Sequence, residues 1–516
     1  MKIKSLIIKN FRSIVDCHFD FNDLFVLVGE NNNGKSNIID AIEMLLSKNK
    51  VNNVFDFYNK ENPIIIEINF CDLTQFEKDK ISEYLDGDKF ILRKEFLYKE
   101  KENGDPDSES KMYYIKGGET SSTKAPNIFA GEILPEFYKV PAVRDIKEEV
   151  KFISTTYFGK FLDLLFESDD YDFSNLDDLL EKISIELKRT DDDAPLIKGA
   201  KEIEEIMCEQ FRNCSLNFKI DTPGRKDLIS QIEIFSNDGC ETPLSSKGQG
   251  VQRAFIFSIL LLYAQKLNNK LKDKDGKDKK DIIIAIDEPE IYLHPQQQRI
   301  IYNLFKKLIG IEDEQIQIIY TTHSSFMINI EDYKYLGLVT KNSVAEGTKI
   351  TQINEDIFSG GDKEEFKTSC HFDPERNEMF FADKIIFCEG DTEKYSLPLI
   401  FDKLGINLID KKISIIECGS KSSIPLFLKI LNKFNEKAKK FKYYVFYDND
   451  GGSGSQEIDV LMDDIKHRFI FIDDFEQYFS LTPSRKNKPY NFRKQILLKN
   501  KDDFPSDIKN FIVDNF

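Results

Sequence analysis

The stretch FVLVGENNNGKSNIIDAIEMLLS, residues 25–47, decides how the rest of the chain is read. Its first residues are a short β-forming apolar run bounded by glycine, the pattern of a buried strand. GENNNGKS at 29–36 fits the spacing GxxxxGK[ST], and NIIDAIEMLLS at 37–47 then repeats apolar residues at helical spacing. Strand, glycine-containing turn and helix in that order are the context in which such a loop wraps phosphate. Gly29 and Gly34 let the backbone close on the ligand. The N–H groups of Asn31, Asn32, Asn33 and Gly34, with the helix start at Asn37, supply positive dipole. Lys35 would reach the β- and γ-phosphates, and Ser36 would give its hydroxyl to Mg²⁺. The motif predicts an ATP site.

Three further segments follow downstream. IIIAIDEPE (282–290) is a hydrophobic strand ending in acids: Asp287 is placed to hold the Mg²⁺ shell, and Glu288 to orient or deprotonate the attacking water. His323 follows the apolar strand IQIIYTT, where it can contact the γ-phosphate. LSSKGQGVQR (244–253) puts Ser246, Gly248 and Gln249 ahead of a helix, where N–H groups can bind another phosphate.

A second set of acids lies near the C-terminal end. FCEGDTEK (387–394) follows a strand and places Glu389 and Glu393 four residues apart, so both face one point if the second sits in the first turn of a helix. YYVFYDND (443–450) ends a strand with Asp448 and Asp450 on one face. DDFEQYF (473–479) adds Asp474 and Glu476 at the same spacing. Oxygen ligands at strand ends suit Mg²⁺ or Mn²⁺ rather than zinc, and two such ions can activate a water and stabilise a leaving oxygen in phosphodiester hydrolysis.

The bulk numbers bound these readings. At 516 residues the chain has material for about three folding units. A hydrophobic fraction of 41% and a charged fraction of 31% fit an ordinary soluble protein. No stretch reaches the roughly 20 apolar residues of a membrane helix, and the opening MKIKSLIIKNFRS reads as a first strand rather than a signal peptide, so a cytoplasmic protein is expected. Eight scattered cysteines with no CxxC pair argue for reduced, structural thiols. A net charge of −18 excludes a generally basic nucleic-acid coat protein but not nucleic-acid chemistry at a local basic face.

The pattern predicts an α/β ATPase over 1–145 and 213–345, opening with a strand meander at 3–29. A helical, acidic insertion covers 146–212, a polar linker 346–380, and a second α/β domain 381–516. ENGDPDSESK at 102–111 reads as a turn or exposed loop, and SQIEIF at 230–235 as a strand.

The ordered set of GENNNGKS, SSKGQGVQR, DEPE and TTHS resembles the ABC ATPase family, in the branch that includes RecF and the SMC proteins; the opening IKNFRS is also similar. The signature is not LSGGQ, and YLHP (292–295) stands where the usual D-loop would be. In ABC proteins the signature of one protomer closes over the nucleotide of the other, so the resemblance implies at least a homodimer. The Glu in EG, the DxD pair and the later acid, with GSK (419–421) between them, resemble the Toprim domain. The two together are similar to the overcoming-lysogenization-defect (OLD) family nucleases, with the Gabija nuclease subunit a relative. That resemblance implies metal ligation by Glu389, Glu393, Asp448, Asp450 and Glu476, with Asp474 variable in the family. It also implies a late lysine at the scissile phosphate, for which Lys486, Lys488 and Lys494 are all candidates. The expected function is an ATP-regulated, metal-dependent endonuclease on DNA more than RNA, in anti-phage defence, with room for an operon-encoded partner. The alternatives are a nucleotide-switched scaffold whose Toprim domain binds a partner, and a RecF-like repair ATPase.

Overall fold

The computed structural model describes residues 1–46, 54–100, 106–121, 133–142, 174–189, 191, 194–210, 234–270, 281–310, 316–359, 364, 366, 373–437, 441–449, 454–462, 464–472, 474–482 and 486–516. The chain divides into two compact units, one formed by Met1–Ala142 with Lys280–Phe516, the other by Val143–Lys279.

Among the described residues the first unit has three sheets. A six-stranded antiparallel sheet has the order Ile14–Asp20, Lys2–Phe11, Ile64–Cys71, Phe90–Glu100, Pro106–Lys116, Glu119–Thr120. Its inner face follows the period of two that strands impose: Ile64, Ile66, Ile68 and Phe70 are buried, opposite Phe96, Leu92 and Phe90 of the next strand. The second sheet has the order Lys349–Gln352, Leu336–Thr340, Leu24–Val28, Ile316–Thr322, Ile282–Ile286, Glu136–Val140, parallel except for its first edge strand. The strands Leu24–Val28, Ile282–Ile286 and Ile316–Thr322 are buried on both faces, which is why they read as continuous apolar runs. Helix Lys35–Leu46 buries Ile38, Ile39, Ala41, Ile42 and Leu45 in one core with residues of both sheets. Across that core the buried Lys94 ammonium donates to the Met44 carbonyl (2.6 Å) in the helix's last turn.

The third sheet is wholly parallel, ordered Ile413–Glu417, Lys384–Cys388, Lys442–Asp448, Arg468–Phe471. Helices Asp391–Lys403, Lys488–Leu498 and Ser506–Asn515 pack on it through Leu397, Ile400, Phe492, Ile496 and Ile508. Chain order runs outward in both directions from Lys384–Cys388, so the carboxyl ends of the two central strands flank a topological switch point, where ligands of such sheets sit.

In the second unit, helices Ser174–Leu187, Pro195–Gln210 and Gln249–Lys270 accompany a short hairpin, Phe235–Asn237 with Glu241–Pro243. The expected helical insertion lies outside the described residues up to 173, as does most of the strand expected at 230–235.

Two expectations are corrected. The described part of 102–111 is not a loop: Pro106–Lys116 is a strand in register with Phe90–Glu100. Its polar sequence hid it, because Glu109 pairs with Lys99 across the hairpin and with Lys111 beside it, so both partners of each pair are hydrophilic. The polar stretch 346–380 is not free of structure either. Lys349–Gln352 adds an antiparallel edge strand to the second sheet, and Pro374–Asn377 is a helical turn that buries Asn377.

Candidate functional site

The phosphate loop is shaped by what crowds it. A Cβ at Gly29 would lie 2.3 Å from the Val339 carbonyl oxygen, and one at Gly34 (φ +96°) 2.4 Å from Thr348 Oγ1 and 2.5 Å from Ser13 Oγ. Ser13 and Thr348 are hydrogen-bonded to each other (2.7 Å), and Thr348 Oγ1 donates to Asn33 O (2.8 Å). Asn33 Nδ2 donates to Val339 O (3.2 Å), and Asn32 adopts φ +65°. Asn31 is exposed at the loop's tip. The Asn37 side chain braces the loop: it donates to Ser13 Oγ (2.9 Å) and accepts from Arg12 Nη1 (3.2 Å), while Arg12 also pairs with Asp40 and Asp56. The opening FRS thus braces the loop from behind.

Lys35 is buried, and its ammonium donates to Gly29 O (2.9 Å) and Glu30 O (3.0 Å). Burial lowers its pKa against the pull of Glu288, Glu290, Asp287 and Glu30. Ser36 Oγ donates to Asp287 Oδ1 (2.9 Å), to which Thr321 Oγ1 also donates. Glu288 sits in left-handed backbone (φ +47°), with its N–H donated to Thr321 Oγ1 (2.9 Å) and its carboxylate 3.7 Å from His323 Nδ1. Lys35, Ser36, Asp287, Glu288 and His323 are therefore brought together around the loop. Sequence reasoning missed Glu290. This buried carboxylate accepts from Thr322 Oγ1 (2.7 Å) and the His323 N–H (2.8 Å), and lies 3.3 Å from His323 Nδ1. The last letter of DEPE was its only signal.

Ser246, Gly248 and Gln249 lie in the second compact unit. Ser246 closes the turn Leu244–Ser246, Gly248 O accepts from Val251 and Gln252, and Gln249 begins helix Gln249–Lys270.

The second group of acids collects at the carboxyl ends of the third sheet. Glu389 follows strand Lys384–Cys388 and accepts from the Asp448 N–H (2.7 Å) at the end of the neighbouring strand. Glu393, in the first turn of helix Asp391–Lys403, is buried and accepts the Gly390 N–H (3.2 Å). Burial, then the charges of Asp448, Glu389 and Glu476, push its pKa up to about 8. Asp448 is pushed up to about 7 by burial and then by Glu389, Glu476 and Asp474, and its buried Oδ1 has no partner among the described residues. Glu476 is buried and ion-paired with Lys488. Burial lowers the Lys488 pKa, but Glu476, Glu393 and Asp448 outweigh this and raise it. Lys488 is thus the late lysine that reaches the acids, whereas Lys494 lies exposed six residues further along its helix and Lys486 is exposed before it.

Asp474 departs from the expected strand-end pair. It is the N-cap of the short helix Phe475–Tyr478, accepting from Gln477 N (2.7 Å) and Gln477 Nε2 (3.1 Å), so its oxygens are occupied by the cap while Glu476 turns inward. Asp450 lies outside the described residues. Lys421, buried in the GSK turn, donates to Asp448 O (3.0 Å) and fixes the end of that strand.

The acid pocket fits a hard divalent cation. Its donors are all oxygen, burial and mutual repulsion disfavour the charged forms of Glu393 and Asp448, and Asp448 Oδ1 is orphaned among the described residues; a bound cation would relieve all of this. Among the described residues no group of three metal-ligating side chains is already drawn together.

The two sites are joined through the segment after His323. Asn377 Nδ2 donates to Ser325 O (3.0 Å) and Ile328 O (2.8 Å), and its Oδ1 accepts from Ile330 N (3.1 Å). Next to it, Arg376 bonds Glu417 (3.0 Å) at the end of strand Ile413–Glu417. Glu30 of the phosphate loop pairs with Lys412, just before that strand.

A family model described as an AAA ATPase domain matches residues 1–328, and one described as the overcoming lysogenization defect protein-like TOPRIM domain matches 380–450. The chain belongs to the AAA ATPase domain family and carries an OLD-like TOPRIM domain. It is 25% identical to the OLD nuclease of Thermus scotoductus over 87% of its own length and 82% of the relative's. It is 26% identical to the Old nuclease of Escherichia phage P2, over 85% and 76% of the two chains. With the endonuclease GajA of Bacillus cereus the identity is 21%, over 78% and 68%. No helix among the described residues is long and apolar enough to cross a membrane.

Proposed function

We propose that this protein is an OLD-type, metal-dependent endonuclease acting on nucleic acid, DNA in the first instance, with cutting controlled by ATP at the phosphate loop. The observation that carries the reading is the acid pocket, where Glu389, Glu393, Asp448 and Glu476 converge from three strand ends with Lys488 beside them. Relatives named as nucleases share most of the chain.

In this reading Glu389, Glu393, Asp448, Asp450 and Glu476 hold Mg²⁺ or Mn²⁺, with Asp474 the weakest member of the set because its oxygens cap a helix. The bound cation supplies an activated water and charge stabilisation at the phosphate. Lys421 holds the Asp448 strand end in place, and Lys488 balances charge beside Glu476. At the other site Lys35 binds phosphate, Ser36 and Asp287 hold the nucleotide's cation, Glu288 orients water, and Glu290 fixes His323 toward the γ-phosphate. Ser246, Gly248 and Gln249 would close on the nucleotide of a second copy, making the working form at least a homodimer. Control by ATP is supported by the short path from His323 through Asn377 and Arg376 to Glu417. A role in anti-phage defence is part of this reading and follows from the family resemblance of the sequence motifs.

The test is cutting of supercoiled plasmid with Mg²⁺ or Mn²⁺, with and without ATP. Metal-dependent nicking or linearisation whose rate changes with ATP is expected. A protein that hydrolyses ATP yet cuts neither DNA nor RNA under any metal would replace this reading with the nucleotide-switched scaffold.

A further inference from the structure

In a chain of net charge −18, the segment from Gln477 to Lys501 holds seven Lys and Arg and no Asp or Glu. It starts immediately after Glu476 of the acid pocket. Its main described element is helix Lys488–Leu498, which buries Phe492 and Ile496 against the third sheet's core. Tyr490, Arg493, Lys494 and Leu497 are exposed and recur at i, i+3, i+4 and i+7, so they share the opposite face. Tyr490 is 66% exposed. Neither Arg493 nor Lys494 is in an ion pair among the described residues, in contrast to Lys488.

Both ends of this helix are tied to elements of the acid pocket. At the first residue Lys488 pairs with Glu476. At the other end Lys403 donates to Leu497 O (3.1 Å) and to Lys499 O, and Lys403 ends the helix whose first turn carries Glu393. The basic face is thus held beside the carboxylates rather than carried on a separate loop.

We infer that this face is the track along which the nucleic-acid backbone lies when it enters the acid pocket, with Arg493 and Lys494 contacting phosphates and Tyr490 packing against a base or sugar. The inference rests on the nuclease reading and assigns its substrate-binding surface. A strongly anionic protein repels a polyanion at long range, so close approach requires a local stretch free of acids. Exposed basic residues interleaved with an aromatic supply the two interactions such a strand offers, charge neutralisation and stacking.

The experiment uses the full chain in EDTA, so that bound DNA stays intact, and follows the fluorescence anisotropy of labelled duplex DNA between about 50 and 200 mM salt. Each phosphate contact on duplex DNA contributes about 0.9 to the slope of log affinity against log salt. The double variant R493Q/K494Q, altered only at exposed positions, is expected to lose roughly 1.8 from that slope and to bind at least about tenfold more weakly at the low-salt end, since counterion release supplies most of such binding. Its ATP hydrolysis without DNA stays at the wild-type rate. Tyr490→Ala weakens binding with the slope unchanged. Wild-type affinity and slope in the double variant would overturn the inference, and so would a wild-type protein that binds no nucleic acid. Arms with single-stranded DNA and duplex RNA report which polyanion the face prefers. A wild type that binds with the expected slope and yet never cuts would sink the nuclease reading while leaving the surface assignment standing.

Discussion

The phosphate loop and the acid pocket occupy the same kind of place, the carboxyl ends of parallel strands, and are built in opposite ways. Around the loop the geometry is held by main chain and hydroxyls. Gly34 has no room for a side chain between Ser13 and Thr348, Asn32 and Glu288 are left-handed, and Asp287 Oδ1 and Glu290 Oε1 already have their donors, although Glu290 Oε2 has none among the described residues. In the pocket the backbone is ordinary and the side chains are in conflict. Asp448 and Glu393 are raised to about 7 and about 8, and Asp448 Oδ1 is unpartnered. One site is organised before its ligand arrives. The other gathers carboxylates whose mutual repulsion a proton or a bound cation relieves, so substitutions should act differently at the two sites.

The largest expected effect that would sharpen this contrast is at Gly34. Gly34→Val puts a branched side chain where a single Cβ already meets two hydroxyl oxygens, at a φ that such residues avoid. ATP affinity measured by calorimetry should fall by at least about 100-fold, because mispositioning a rigid ligand cradle by about 1 Å costs that much. Retention of wild-type affinity would show that the loop is not held as described.

Glu288→Gln comes next. It removes the group placed to orient water while leaving Lys35, Ser36 and Asp287 intact. ATP hydrolysis should drop about 10²- to 10⁴-fold with nucleotide binding within a few-fold of wild type. An unchanged hydrolysis rate would move the role to Glu290 or His323.

The smallest effect concerns a buried charge that serves no ligand. Burial lowers the Lys94 ammonium from 10.5 to about 8. Between these values the unfolded chain still binds the proton that the folded protein has lost, so stability should rise as pH increases from about 8 toward 10.5. Urea midpoints across this range should climb in the wild type and flatten in Lys94→Met. Equal climbs in both would place the titrating group elsewhere.

Much of both sites was legible because their chemistry is local in sequence. The strand–turn–helix at 25–47, the acids after Ile282–Ile286 and the carboxylates after Lys384–Cys388 and Lys442–Asp448 each announce themselves within one short stretch of sequence. What escaped notice comes from elsewhere in the chain. Thr348 presses on Gly34 from a segment that read as linker, and Asn377 bonds three backbone groups at 325–330 from the same segment. Glu290 showed no periodicity to mark it as a support for His323. Strand Pro106–Lys116 was missed because its pairing is satisfied by charge rather than by apolar alternation. Asp474 shows the converse error, since the i, i+2 spacing groups it with Glu476 among acids at strand ends, whereas the Asp caps a helix.

The measurement that bears most directly on the two-site account compares Lys35→Ala and Asp448→Ala with wild type for both ATP hydrolysis and plasmid cutting in Mn²⁺. Asp448→Ala is predicted to hydrolyse ATP normally and to lose cutting by at least about 100-fold, beyond the loss usual for a residue that only supports a metal ligand. Lys35→Ala should lose hydrolysis, and its cutting should no longer respond to ATP. Cutting that survives intact in Asp448→Ala would contradict the assignment of the acid pocket as the nuclease centre.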